Sequence, residues 1–149
     1  MLICFDESPQ SRRAILETAR LFPGARATVL HVWQPLESTV AYRYSAAGVT
    51  GALRDELEEM DGAGARTAGL IAEHGADLAR GAGLDGEALA IEAKDELHTA
   101  VAEVAERLDA RVVVVGSRGL GALSSMALGG FSGPVVHEAR QPVLVVPGE

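Results

Sequence analysis

Short apolar runs, each stopped by a turn signal, alternate along this chain with segments of helical period. Leu2 to Phe5 is the first run, and Asp6-Glu7-Ser8-Pro9 follows it directly. That order predicts a strand, an acidic turn and a helix start, with Ser8 placed to cap and Pro9 at the first helical position, where its missing N–H costs nothing. The helix carries Ile15, Ala19 and Phe22 at helical spacing and stops at Pro23-Gly24. Ala27 to Trp33 is the second strand, ending at Gln34-Pro35. Its Val29, Leu30 and Val32 break strict alternation, which predicts cover on both faces.

From Leu36 to Gly51 the pattern dissolves into a loop too long for a simple connector. Tyr42 and Tyr44 stand in it, with packing on the flank of the domain favoured over a flap above a planar ligand. Ala52 to Ala82 is the longest helical pattern. Leu53, Leu57, Met60, Gly64, Thr67, Ile71, His74 and Leu78 form one narrow stripe, suited to a helix lying on a sheet. Gly62, Gly64, Gly69 and Gly75 each cost about 1 kcal/mol relative to alanine, so this helix leans on its packing, and a bend or break is expected among them. Ala88 to Ile91 is a weak third strand. Asp95 is placed to cap a helix bearing Leu97, Val101, Val104, Ala105 and Leu108.

The fourth run, Val112 to Val115, is wholly β-branched and bounded by Arg111 and Gly116, which predicts a strand buried on both faces. Gly116, Gly119, Gly121, Gly129 and Gly130 follow it; glycines at a strand's carboxyl end let main-chain N–H groups approach an anion. A last helical segment spans Ser132 to Ala139, with Ser132 as its expected cap, and Pro142 introduces a fifth strand, Val143 to Val146. Strands alternating with helices imply parallel pairing with right-handed crossovers, hence an open α/β sheet covered on both faces. Ligands in such sheets bind at the carboxyl ends of the strands where strand order reverses. Asp6, Val32 and Gly116 lie at or near three of those ends.

Composition narrows the partners. With 149 residues, 48% of them hydrophobic, the chain is expected to form one domain, residues 1–149, with a substantial core. A net charge of −8 and no basic cluster longer than Arg12-Arg13 argue against nucleic acid. The apolar runs are strand-sized, far short of the roughly 20 residues of a spanning helix, and the chain opens on strand-like residues. The expected setting is therefore the cytoplasm, without membrane attachment. Cys4, the single cysteine, reads as a small buried thiol.

The chain holds no G-x-x-x-x-G-K-[ST], and Gly119-Leu-Gly121 lacks a third glycine at the dinucleotide spacing. His31, His74, His98 and His137 fall on different predicted elements without paired ligand spacing, so no metal site built from side chains is expected. No G-x-S-x-G elbow is present, and no catalytic residue is assigned.

One spacing does match a known pattern. Gly116-Ser-Arg-Gly119, nine residues, then Gly129-Gly130 resembles the G-x2-G-x9-G-[ST] motif of the universal stress protein family, in its ATP-binding branch. LICFDESPQSRRAI is similar to the family's first strand, acidic turn and helix, VLHVW to its second strand, VVVVGSRG to its fourth and ARQPVLVVP to its closing strand. The resemblance implies a five-stranded parallel sheet in the order 3-2-1-4-5, of the adenine nucleotide alpha hydrolase type, with Asp6 and Gly116 facing each other across the crevice. It places Asp6 and Val32 on the ribose and adenine side of an ATP site. Val115, Gly116, Arg118, Gly119, Gly129, Gly130, Phe131 and Ser132 line the rest of the adenosine and phosphate path, with Mg²⁺ or Mn²⁺ held mainly through the phosphates. It also implies a homodimer through the closing strand, since Val143 to Val146 would otherwise leave an apolar sheet edge open.

The chain departs from the motif once. Gly130 stands where the family has Ser or Thr, so a hydroxyl donor to phosphate is absent. A hydrogen bond to a charged group is worth roughly 1.5 to 3 kcal/mol, about one to two decades of affinity. Ser132, two residues on, is the expected partial replacement. The function implied is that of a small nucleotide-binding stress-response regulator. A same-fold interaction protein without nucleotide affinity is the alternative, and a slow ATPase the weaker one.

Overall fold

The computed structural model describes residues 1–35, 51–117 and 131–148, with the main chain alone for residues 51–58. Five strands, β1 (Leu2–Cys4), β2 (Arg26–Trp33), β3 (Asp85–Glu92), β4 (Val113–Ser117) and β5 (Val143–Pro147), form one parallel sheet. Its order is β3-β2-β1-β4-β5. The reversal falls between β1 and β4, as the family resemblance implied.

Four helices cover the sheet: α1 (Pro9–Leu21), α2 (Gly51–Gly81), α3 (Leu97–Arg107) and α4 (Ser132–Glu138). Alternation along the strands sorts the core into two layers. Ile3, Phe5, Val29 and Val114 point to one face, against Ala14, Ile15 and Ala19 of α1 and Ala76 and Ala79 of α2. Leu2, Cys4, Leu30, Val113 and Val115 point to the other, against Val101, Val104 and Ala105 of α3 and Val135 of α4. Val113, Val114 and Val115 are all buried, as a strand with both faces covered requires.

The helix starts divide. Ser8 caps α1 as expected: its Oγ accepts the Ser11 N–H at 3.2 Å, and Pro9 is the first helical residue. Asp95 does not cap α3. Glu96 holds the cap position without a side-chain bond, and the Asp95 carbonyl instead accepts a 2.7 Å bond from Gln34 Nε2, which ties the end of β2 to the start of α3. Ser132 is not a cap either, because the cap position is Phe131 and Ser132 opens α4 itself. Phe22, counted with the buried face of α1, sits beyond the helix end and is 40% exposed.

The long helix is continuous over 31 residues despite its glycines, with neither break nor gap. Its buried stripe is Ala68, Ala72, Gly75, Ala76 and Ala79, one residue out of phase with the predicted line. Met60, Thr67 and His74 of that line are exposed. The cause is distance: a Cβ on Gly75 would lie 2.6 Å from Phe5 Cδ1 and 2.7 Å from Val29 Cγ1. A helix this close to a sheet accepts only small side chains beneath it.

Candidate functional site

Three strand ends and three helix starts enclose a cavity of about 410 Å³ at the reversal point. Its floor is apolar: Cys4 and Leu30 from β1 and β2, Val32, Val115 of β4, Leu97 at the first turn of α3, and Phe131 before α4. Its rim is polar, formed by Asp6, Ser8, Gln10 and Ser11 from the β1–α1 turn, with His31, Gly116 and Ser132. Such a volume suits a small organic ligand with an apolar body and a few polar anchors.

Asp6 is the one carboxylate that the described lining contains, and no Lys or Arg stands beside it there. Its Oδ1 accepts bonds from Ser8 Oγ at 2.5 Å and from the Ser8 N–H at 3.1 Å. The Asp6 N–H donates in turn to Ser11 Oγ at 3.3 Å, and Ser11 Oγ donates to the Ser8 carbonyl at 3.0 Å. Partial burial pushes the carboxyl pKa up, but the hydrogen bonds from Ser8, Ser11 and the local main chain outweigh it and hold Asp6 below its ordinary value. The cavity thus presents an oriented, ionised carboxylate, an acceptor for hydroxyl or amine donors and a poor neighbour for phosphate.

Cys4 is the opposite case. Burial, assisted by the Asp6 charge, pushes its thiol up to about 12, so it stays protonated and acts as a small apolar wall. His31 lies on the rim with Nδ1 2.8 Å from the Phe5 carbonyl oxygen. A carbonyl can only accept, so that nitrogen carries the proton.

Gly116 needs a second explanation beside anion approach. A Cβ there would meet the Gln10 carbonyl oxygen at 2.6 Å and its carbon at 2.7 Å. Glycine lets the first turn of α1 close over the end of β4, which brings Gln10 and Ser11 to the rim. Among the site residues expected from sequence, Asp6, Val32, Val115, Gly116, Phe131 and Ser132 all meet at this one cavity. Ser132 is 2% exposed there. Arg118, Gly119, Gly129 and Gly130 lie outside the described residues, as do Tyr42 and Tyr44. Ser8, Ser11, His31 and Leu97 also line the cavity, although sequence reasoning gave them other roles or none. Their signal was positional: each occupies a strand's carboxyl end or the first turn of the helix that follows.

Among the described residues, no group of three or more His, Cys, Asp or Glu side chains is arranged to hold a metal ion. Nor is any described helix long and apolar enough to cross a membrane.

Sheet order and cavity together define a doubly wound α/β protein with a ligand-sized site at its topological switch point. Comparison with known proteins gives the family. Residues 1–147 match the model of the universal stress protein family. A universal stress protein of Thermus aquaticus is 30% identical over 148 residues, covering 98% of this chain and 96% of the relative. The chain belongs to the universal stress protein family. Solved structures agree on the fold. A universal stress protein of Archaeoglobus fulgidus in complex with dAMP aligns with a TM-score of 0.57 at 19% identity, over 97% of this chain and 94% of that one. A universal stress protein family member of Arabidopsis thaliana with AMP bound aligns at 0.61 with 18% identity, over 99% and 90%.

Proposed function

We propose that this protein binds an adenine nucleotide, ATP foremost, in the cavity at the β1–β4 reversal, and that occupancy of the site is the signal of a small cytoplasmic stress-response regulator. The observation that carries the reading is an apolar slot ending on an ionised, hydrogen-bonded carboxylate. Leu30, Val32, Leu97, Val115 and Phe131 suit the faces of a purine, and Asp6 suits the hydroxyl donors of a ribose. The dAMP and AMP found in family members of the same fold support an adenine nucleotide as the ligand class.

The absence of any Lys or Arg from the described lining directs the phosphates away from Asp6, toward Gly116 and Ser132. Beyond them Arg118, Gly119, Gly129 and Gly130 are proposed to complete the path, with Mg²⁺ or Mn²⁺ bound through the phosphates rather than by side chains. No catalytic residue is assigned. Residues 1–149 are proposed to act as one domain. A homodimer through β5 fits this strand's place at the sheet edge, where Val143, Leu144 and Val145 are only half-buried.

Gly130 favours a second reading, an interaction protein of the same fold that has lost nucleotide affinity, since the family's hydroxyl donor is missing there. The two part on a simple test. Acid release and chromatography of the purified protein should yield an adenine nucleotide in near-stoichiometric amount, and Ser132→Ala should lower that yield. Protein that carries no nucleotide and takes none up from millimolar ATP with magnesium supports the interaction reading instead.

A further inference from the structure

Between β1 and β2 the parallel ladder follows strict alternation: the Thr28 N–H donates to the Met1 carbonyl at 2.9 Å, and the Phe5 N–H donates to the Leu30 carbonyl at 2.8 Å. The next rung in that sequence would run from the Val32 N–H to the Phe5 carbonyl. That rung is not formed, and the Phe5 carbonyl accepts instead from His31 Nδ1 at 2.8 Å. Two residues further, Glu7 adopts a left-handed conformation, φ 64°, which turns the chain into α1. In this conformation it is held by Arg12, whose Nε donates to the Glu7 carbonyl at 3.1 Å, and by His74, whose Nδ1 lies 2.8 Å from Glu7 Oε1. Among the described residues no main-chain bond joins β1 to Val32, and Val32 lines the cavity.

We propose that His31 is a positioning residue: by occupying the Phe5 carbonyl it keeps β1 from closing on β2 at the site, and so holds the Val32 main chain open to the edge of a bound base. The inference rests on the nucleotide-binding reading and assigns to His31 a role in it. An open main-chain pair offers one donor, N–H, beside one acceptor, C=O, and is costly unless water or ligand meets it. A 6-aminopurine matches it, with an acceptor ring nitrogen beside an amino donor. A 6-oxopurine presents the reverse order.

Amide hydrogen exchange and nucleotide titration test it together. In ligand-free protein the Val32 amide should exchange fast while Leu30 stays protected, and AMP should slow Val32. In His31→Leu the released Phe5 carbonyl should take the Val32 N–H. That amide should then be protected without ligand, AMP affinity should fall about tenfold, the worth of one lost hydrogen bond, and the preference for AMP over IMP should shrink. His31→Gln, whose amide can donate to the same carbonyl, should restore fast exchange and much of the preference. A Val32 amide as protected as Leu30 in ligand-free wild type overturns the proposal. So does a His31→Leu protein that binds AMP with wild-type affinity and preference. If wild type binds no AMP at millimolar concentration, the nucleotide reading fails, while exchange in the ligand-free proteins still decides whether His31 parts the strands.

Discussion

The two faces of the sheet are built by different means. Under α1 and α2 the contact is made by Ile15 among alanines, with glycine at the points of closest approach: Gly75 lies where any side chain would collide with Phe5 and Val29, and Gly116 where it would collide with the Gln10 main chain. Under α3 and α4 it is made by Val101, Val104 and Val135, all with 1% exposure or less. The first face fixes position through closeness and tolerates no added atoms. The second fills volume and tolerates none removed. The functional rim sits on the first face, since α1 carries Ser8, Gln10 and Ser11 and its approach is set by Gly116. Precision is therefore placed where polar groups must be oriented, and bulk where the floor needs only to be apolar.

Substitutions can break this contrast in graded steps. Gly116→Ala should be the most damaging, at about 3 kcal/mol in urea unfolding, because the added methyl meets main chain that cannot rotate away. It should weaken ligand binding as well. Val101→Ala, a deletion on the other face, should cost about 2 kcal/mol through the void it leaves and change ligand affinity little. Gly75→Ala should cost about 1 to 2 kcal/mol, the overpacking penalty against Phe5 and Val29 less the better helix propensity of alanine. If Gly75→Ala instead stabilises the protein, the close contact of α2 is not what holds that face.

Ser8→Ala should cost about 1 kcal/mol at neutral pH through the lost cap. It should also alter the acid limb of the stability curve. The folded-state pKa of Asp6 lies below its ordinary 3.8. Its contribution is therefore fully present above pH 3.8 and is lost as pH falls through the folded value. Without the Ser8 hydroxyl that value rises toward the ordinary one, so the variant should lose less stability than wild type between pH 5 and a pH of about 3. Equal losses would show that Ser8 does not hold the carboxylate.

Much of this was legible in the chain. The parallel α/β sheet, with Asp6, Val32 and Gly116 near its strand ends, followed from β-branched runs ending in turn signals; the strand order, the reversal point and the gathering of Val115, Phe131 and Ser132 with them came through the family resemblance that one glycine spacing carried. The stripe of α2 was misread for a physical reason. Periodicity weighs Met60, Ile71 and Leu78 as core, yet the close face selects alanine, which hydrophobic pattern scarcely distinguishes from surface. Leu70 shows the converse, large, apolar and 72% exposed. Two helix caps were misplaced by one residue each, since the cap position of α3 is Glu96 and that of α4 is Phe131. The role of His31 was invisible because it depends on one carbonyl in another strand, which no spacing within β2 encodes.

The central claim is that the cavity beside Asp6 takes an adenine nucleotide. Calorimetric titration of wild type and Asp6→Ala with ATP and magnesium tests it most directly. One saturable site per chain in wild type, weakened at least about tenfold in Asp6→Ala for the loss of hydrogen bonds to a charged group, is the predicted result. No heat of binding at millimolar ATP, or equal affinity in the two proteins, would contradict it.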